Sequence, residues 1–484
     1  MNSKIKVLFL SAEATPFTKV GGLADVAGAL PKALRALDLD VRLMIPRYGH
    51  IRSGDFKFTR VGSVPVAVGR GDENRAHVLE THMGDVPVYL IWDDQYFSNR
   101  ERVYGFNDDP QRFTFFSKAV ISAIKSLGWV PDLIHANDWH TAPVTAWLDL
   151  CGRKLDLYRD MATLFTVHNL AYQGVCGRLI LTYAQMDKLS HLPVEPPGQV
   201  NWMAQGIARA DLVSTVSATY AREILTPEMG MGLHSLLQER RDRLFGILSG
   251  IDVELWNPAQ DAALTQTYDQ NSLKMRAVNK TAFQREARFP ASLETPLLGT
   301  VARLDEIKGL DLLLSALETL IAQREVQFVM LGTGEPTYEA RFQALQDRYP
   351  QNVRIWAKFD ERLARQIYGG VDAFVLPSRS EPSSLGQMTA MRYGAVPVVR
   401  STGGLADTVV DADMQSERGN GFVFSEYTVE ALVAALQRAL SAYADKARWL
   451  GIQRRAMSRD FSWDASARAY VDLYQRALAL HRGA

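Results

Sequence analysis

Cysteine is scarce in this chain: Cys151 and Cys176 are the two thiols among 484 residues. Two cysteines cannot staple a chain of this size and offer no metal-ligand spacing, so a disulfide framework is excluded and a reducing cytoplasm is the expected compartment. Excess charge of one sign is also lacking, since Lys plus Arg and Asp plus Glu number 54 each. No global basic field is therefore available to hold nucleic acid or an acidic membrane surface. Long apolar runs are missing as well, with no window near the roughly 18 apolar residues that a membrane helix needs. Lys4 and Lys6 flank the start of a short run, Val7 to Leu10, too short for the apolar region of a signal peptide. It is expected to be a first buried strand, in a protein that neither crosses a membrane nor is secreted. Asp93-Asp94 and Asp108-Asp109 have no third convergent ligand in view, so no metal is assigned.

What is present is an ordinary globular composition, 47% hydrophobic and 22% charged. The length predicts two or three domains of about 150 to 250 residues. Short apolar strands alternate with amphipathic helices: Lys6 to Leu10, a helix from Gly22 to Leu37, then Asp40 to Ile45. That is the rhythm of a parallel sheet covered by helices on both faces. Between Gly54 and Asp94 the runs Val64 to Val68, His77 to Thr81 and Val86 to Ile91 predict an antiparallel insertion. Tyr172 to Gln199, with Pro193, Pro196 and Pro197, is expected to be an irregular, mobile flap. Trp256-Asn257-Pro258 and the polar run to Asn271 suggest a crossing to a second domain with the same rhythm. The expected division is residues 1–252, residues 253–462, and a helix over 463–484 that packs back on the first domain.

The chain is organised around Pro377 to Gly394, PSRSEPSSLGQMTAMRYG, which follows the apolar strand Ala373 to Leu376. A helix starting near Pro382 to Ser384 would place Glu381 beside free backbone N–H groups of Ser383, Ser384 and Leu385, suited to a phosphate or a sugar hydroxyl. A Ser-rich cap with a solvated Glu381 fits the same residues. Lys19-Val20-Gly21-Gly22-Leu23 has similar logic near the start, with paired glycines for close approach and a lysine for charge. It is neither a Walker loop nor a dinucleotide fingerprint, and a tight turn with a surface lysine is the alternative.

Arg303 and Lys308 straddle a strand-to-helix turn, where two cations at a fixed spacing suit a diphosphate, unless Asp305 and Glu306 satisfy them. Asp138 and His168 each stand at a strand end. A helix cap explains Asp138 as cheaply as a sugar contact does, and a satisfied core position is the better reading of His168 taken alone.

Six motifs together resemble the bacterial glycogen and plant starch synthases: KVGGLADVAGALPKAL at Lys19 to Leu34, HANDWHTA at His135 to Ala142, TVHNLAYQG at Thr166 to Gly174, VARLDEIKGLDLL at Val301 to Leu313, PSRSEP at Pro377 to Pro382 and TGGLADTV at Thr402 to Val409. The resemblance spans nearly the whole chain. It implies two Rossmann-like α/β domains facing across a deep cleft, the GT-B architecture, with a nucleotide sugar, usually ADP-glucose in bacteria, bound between them.

By the same resemblance, Lys19 and the Gly21-Gly22 backbone would meet the diphosphate from the first domain, and Arg303 and Lys308 from the second. Glu381 would lie against the donor glucose, His168 near its 6-hydroxyl and Asp138 on the acceptor side. Phe359 would stack on adenine, and Thr402-Gly403-Gly404 would add backbone contacts. The expected partners are the nucleotide sugar and an α-1,4-glucan, glycogen or a malto-oligosaccharide, with no cofactor, metal, nucleic acid or membrane.

The chain departs from the family pattern at three places. Ser384 replaces a glycine, Ser249 replaces an asparagine, and Ser380 stands where an aromatic is common. A relative that uses UDP-glucose or another acceptor, or a weakly active glucan-binding regulatory relative, are the alternative expectations.

Overall fold

The computed structural model describes residues 4–52, 54–69 and 73–483. Met1 to Ser3, part of the sequence reading of the N-terminus, lie outside the described residues. The chain divides into two compact units, one running to Gly250 and resuming at Trp463, the other Ile251–Ser462.

The first unit contains β1 (Lys6–Leu10), β2 (Asp40–Pro46), β3 (Thr59–Ala67), β4 (Glu73–Met83), β5 (Val86–Trp92), β6 (Leu133–Asn137), β7 (Ala162–Val167), β8 (Val175–Gly177), β9 (Gln199–Asn201), β10 (Leu212–Thr215) and β11 (Leu244–Gly246). Nine of these strands form one sheet in the order β11-β10-β7-β6-β1-β2-β5-β4-β3. From β11 to β5 the pairings are parallel, and β4 pairs antiparallel with both β5 and β3. The insertion expected after Gly54 is thus an antiparallel extension of the parallel sheet. Strands such as β6 and β7 are buried along their length, which is why they are apolar on both faces rather than alternating.

The helix Gly22–Ala36 carries Asp25 in its first turn and Arg35 in its last, the polarity that favours a helix dipole. The helix Trp463–Arg482 buries Trp463, Tyr470, Leu473, Tyr474, Ala477 and Leu478 in this unit's core. Its Tyr474 hydroxyl lies 2.8 Å from Nδ1 of the fully buried His135.

The stretch read as an irregular flap has its own order. β8 and β9 form an antiparallel pair around the short helix Leu179–Tyr183, and Leu179 is 85% exposed.

The second unit contains β12 (Leu297–Val301), β13 (Gln327–Leu331), β14 (Val353–Trp356), β15 (Ala373–Leu376), β16 (Val396–Arg400) and β17 (Phe422–Phe424). They form an all-parallel sheet in the order β14-β13-β12-β15-β16-β17. Its order reverses about β12, and loops at the carboxyl ends of strands flanking such a switch point are where open α/β sheets bind ligands.

Residues 256–271, read from sequence as a crossing, fold as part of this unit. The Tyr268 hydroxyl donates to the Tyr393 carbonyl at 2.7 Å, and the Tyr393 hydroxyl donates to Asp261 at 2.5 Å. The segment is polar because its hydrogen bonds run to side chains and loop carbonyls rather than to a sheet. Among the described residues no helix is long and apolar enough to cross a membrane.

Candidate active site

In the first unit the loop after β1 leads to the helix Gly22–Ala36, with Gly21 as its extended N-cap. Neither Gly21 nor Gly22 has a left-handed backbone. A Cβ on Gly22 would meet nothing within 4 Å, and one on Gly21 would find Glu13 Oε1 at 3.7 Å. The fold itself therefore does not demand glycine at these positions.

Lys19 Nζ lies 2.7 Å from Asp25 Oδ1. The Val20 and Gly21 N–H groups donate to Glu13 Oε2 at 2.5 and 3.0 Å, so the Gly21 amide expected to meet a phosphate is occupied by a carboxylate in this conformation. Burial pushes the Glu13 carboxyl above the ordinary range, against these hydrogen bonds.

At the ends of β6 and β7 the structure brings Asp138 and His168 together. Asp138 is in the left-handed region at φ 56°, and its carboxylate accepts the His168 N–H at 2.8 Å. It is not a helix cap, because the following helix, Ala142–Leu150, is capped at Thr141. Burial raises Asp138 to about 7, with the Glu13 charge adding to the effect and the His168 and Asn169 amides opposing it.

Burial lowers His168 to about 3, so its ring is neutral near pH 7. Its Nε2 is 2.9 Å from Asn137 Oδ1, whose own amide nitrogen donates to the Leu10 carbonyl. That network assigns the proton to Nε2 and leaves Nδ1 as the acceptor. Gly174, at φ 64°, lies where a Cβ would fall 2.2 Å from the Trp139 ring, so the segment after His168 can pass Trp139 only as glycine.

In the second unit two loops are locked to one another. Gly309, at φ 68°, lies where a Cβ would fall 2.1 Å from the Pro377 carbonyl oxygen, and Arg379 N–H donates to the Ile307 carbonyl at 2.8 Å. This close approach brings Lys308 to Glu381, with Nζ 2.9 and 2.7 Å from the two carboxylate oxygens. The Ser378 hydroxyl donates to the same carboxylate at 2.9 Å. Glu381 is 4% exposed, so it is not the solvated cap residue of the alternative reading.

The third loop closes on the second. A Cβ on Gly403, at φ 43°, would lie 2.0 Å from the Glu381 carbonyl oxygen, and the Gly404 N–H donates to that oxygen at 3.0 Å. Thr402 is the N-cap residue of the helix Gly403–Thr408.

One expectation is corrected here. The helix begins at Gly386 with Leu385 as N-cap, not near Pro382 to Ser384. The Glu381 carbonyl is turned to Gly404 rather than to a helical partner, which keeps Pro382 and Ser383 out of the helix. The first-turn amides therefore belong to Gly386 and its successors, not to Ser383, Ser384 and Leu385. Ser384 Oγ accepts the Gly386 N–H at 3.2 Å, and Ser383 Oγ is buried with no hydrogen-bond partner among the described residues.

Arg303 stands beside Asp305, Nε to Oδ2 2.7 Å, while Phe359 is 84% exposed. A cavity of about 510 Å³ elsewhere in this unit is lined by Arg392, Asp460 and Phe461 among others and by none of the candidate site residues. The motif residues sit instead on open loops at strand ends. Among the described residues no group of three His, Cys, Asp or Glu is placed to hold a metal ion.

Glu13 was not singled out from the sequence, and Ser378 and Gly309, though inside the quoted motifs, were assigned no role. All three follow the positional rule that marked Lys19 and Glu381, lying just beyond a strand or beside a motif lysine.

Residues 6–239 match the starch synthase catalytic domain family, and residues 283–455 match glycosyl transferases group 1. A glycogen synthase of Moorella thermoacetica is 44% identical over 491 positions, covering 100% of this chain and 99% of the relative. A glycogen synthase of Thermotoga maritima is 42% identical, covering 98% of this chain and 99% of the relative.

Among solved structures, the catalytic domain of starch synthase IV from Arabidopsis thaliana, bound to ADP and acarbose, superposes with a TM-score of 0.91 at 33% identity. It covers 99% of this chain and 100% of that one. A sucrose-phosphate synthase from Thermosynechococcus elongatus, TM-score 0.60 and 20% identity over 98% of this chain and 100% of that one, shares the fold. Two Rossmann-like units with these loops at their strand ends define a GT-B glycosyltransferase. Within that class, the chain belongs to the glycogen and starch synthase family.

Proposed function

We propose that the chain transfers glucose from ADP-glucose, with retention, to the non-reducing 4-hydroxyl of an α-1,4-glucan. The observation that carries this reading is full-length similarity to glycogen synthases, combined with the locked Lys308–Glu381 pair at the second sheet's carboxyl edge. ADP in the related starch synthase IV structure supports the choice of nucleotide.

As the glycosidic bond breaks, charge accumulates on the departing diphosphate. Lys19, Arg303, Lys308 and loop N–H groups stabilise it, a pre-set electrostatic contribution of the oxyanion-hole type. Reaching the phosphates requires Lys19 and Lys308 to exchange their present carboxylate partners, Asp25 and Glu381, for the ligand. Glu381 lies against the donor sugar, and the neutral His168 ring offers a hydrogen bond to its 6-hydroxyl. Asp138 faces the acceptor, and the exposed Phe359 ring stacks on adenine. The departing phosphate assists deprotonation of the acceptor hydroxyl, and the scheme calls for no metal ion.

Ser384 is compatible with this role because its hydroxyl is folded back onto the Gly386 amide. The enzyme acts in the cytoplasm on glycogen or malto-oligosaccharides. Incubation with ADP-glucose, UDP-glucose and a malto-oligosaccharide tests the reading: elongation driven by ADP-glucose is expected, elongation driven by UDP-glucose alone reassigns the donor, and binding of glucan without elongation by either makes it a binding protein.

A further inference from the structure

The loop from Ser11 to Gly21 is tied at both ends by ordinary contacts. Ser11 N–H donates to the Met44 carbonyl at 3.2 Å, the Tyr48 hydroxyl to the Ala12 carbonyl at 2.7 Å, and Thr15 N–H to the Ala24 carbonyl at 3.0 Å. His50 Nε2 is 2.9 Å from Thr18 Oγ1. Its crest is held differently, by a side-chain carboxylate from beneath.

Glu13 is 3% exposed, and its Oε2 takes the N–H groups of both Val20 and Gly21. Its Oε1 accepts the Tyr104 hydroxyl at 3.2 Å, and the Tyr104 ring lies 4.8 Å from His140 and 6.1 Å from Phe113. Burying a carboxylate is costly unless its oxygens are hydrogen-bonded, and here both oxygens accept donors. With two consecutive amides drawn inward, Val20 turns outward at 58% exposure and the Lys19 side chain remains half exposed.

We infer that Glu13 is a positioning residue for the reaction: by tethering the Val20 and Gly21 amides from beneath, it holds the loop crest so that Lys19 and the free face of Gly22 meet the donor diphosphate. This rests on the reading of Lys19 as a diphosphate ligand. Glu13 does not itself touch substrate. The amides of Val20 and Gly21 serve the tether, and the contact with the donor falls to Lys19 and Gly22.

The test compares Glu13→Ala, Glu13→Asp and Glu13→Gln, with Lys19→Ala alongside, in the full chain with ADP-glucose and a malto-oligosaccharide. Aspartate keeps the charge but is one methylene too short to span both amides and Tyr104. Glutamine loses the charge yet can accept from the amides through Oε1 and donate to the Tyr104 oxygen through Nε2. The expected result is a loss of about tenfold or more in donor kcat/KM for the alanine and aspartate variants, the loss of one to two net hydrogen bonds' worth of positioning.

Glutamine should recover most of that, and the loss should appear as a raised donor KM with the acceptor KM unchanged, a split that a general loss of folding, which lowers apparent kcat and leaves both KM values alone, would not give. Native donor kcat/KM in folded Glu13→Asp, or a glutamine variant as weak as the aspartate one, overturns the inference, and that pair decides it even where the alanine variant does not fold. If Lys19→Ala is impaired while the Glu13 variants are not, the tether is wrong and the site stands. If the native chain shows no turnover of ADP-glucose, both fall.

Discussion

Lys308 holds both oxygens of Glu381 at 2.9 and 2.7 Å, and the loops that carry them are locked by the contact of Gly309 with the Pro377 carbonyl. Glu381 is nearly buried, while the Lys308 side chain keeps 21% of its surface. Removing the lysine leaves a carboxylate whose remaining side-chain partner, among the described residues, is the Ser378 hydroxyl. Lys308→Ala is expected to lower stability by about 2 kcal/mol, less than for a fully buried pair. It should also lower turnover about 100-fold or more through lost stabilisation of the leaving phosphate. Denaturant melts and steady-state rates check the two parts separately.

Gly309 and Gly22 make a contrasting pair. At Gly309 a Cβ meets backbone from a left-handed φ, so Gly309→Ala should cost more than about 2 kcal/mol and displace Lys308. At Gly22 a Cβ has open space in a helical first turn, so Gly22→Ala should leave stability unchanged or raise it by about 0.5 to 1 kcal/mol. If a diphosphate packs against Gly22, that same variant loses donor kcat/KM. Unchanged kcat/KM would remove Gly22 from the donor site.

The contrast shows what was legible in the sequence. The glycine pair beside Lys19 could be read because strand, glycines, lysine and helix are consecutive, and Arg303 with Lys308 followed from the same grammar. The runs that became β1, β12 and β15 were legible because fully buried strands are continuous apolar segments. The helix start at Gly386 was not, because the Glu381 carbonyl is held by Gly404, a partner far along the chain. Glu13 was missed because two of its partners are main-chain amides, which leave no trace in residue identity, and the third, the Tyr104 hydroxyl, is far along the chain. The polar run before Asn271 resembled a linker because its hydrogen bonds, such as Tyr268 to the Tyr393 carbonyl, satisfy polar side chains inside a folded unit.

Asp138 gives a pH signature. Burial raises its carboxyl from the ordinary 3.8 to about 7. Between these values the folded chain keeps a proton that the unfolded chain has lost, so this group's contribution makes stability fall as pH rises from about 4 to about 7, with no change above. Asp138→Asn removes that slope, and asparagine tolerates the left-handed backbone. The variant should gain stability relative to the native chain at pH 8 and lose that advantage near pH 4. Parallel stability curves for the two proteins would contradict the buried, protonated assignment.

Phe359 separates binding from folding. At 84% exposure its ring contributes little to the core, so Phe359→Ala should leave stability within about 0.5 kcal/mol. Loss of stacking on a base should raise the donor KM about tenfold, from roughly 1 to 3 kcal/mol per stacked base. An unchanged KM would place the adenine elsewhere.

Release of ADP, followed with labelled ADP-glucose in the presence and absence of a malto-oligosaccharide and with sizing of the glucan, tests the assigned activity most directly. The expected result is ADP release that depends on the glucan, with label in chains lengthened by glucose units and a retained α-linkage. ADP release that is indifferent to glucan, or glucan recovered at its original length, would contradict it.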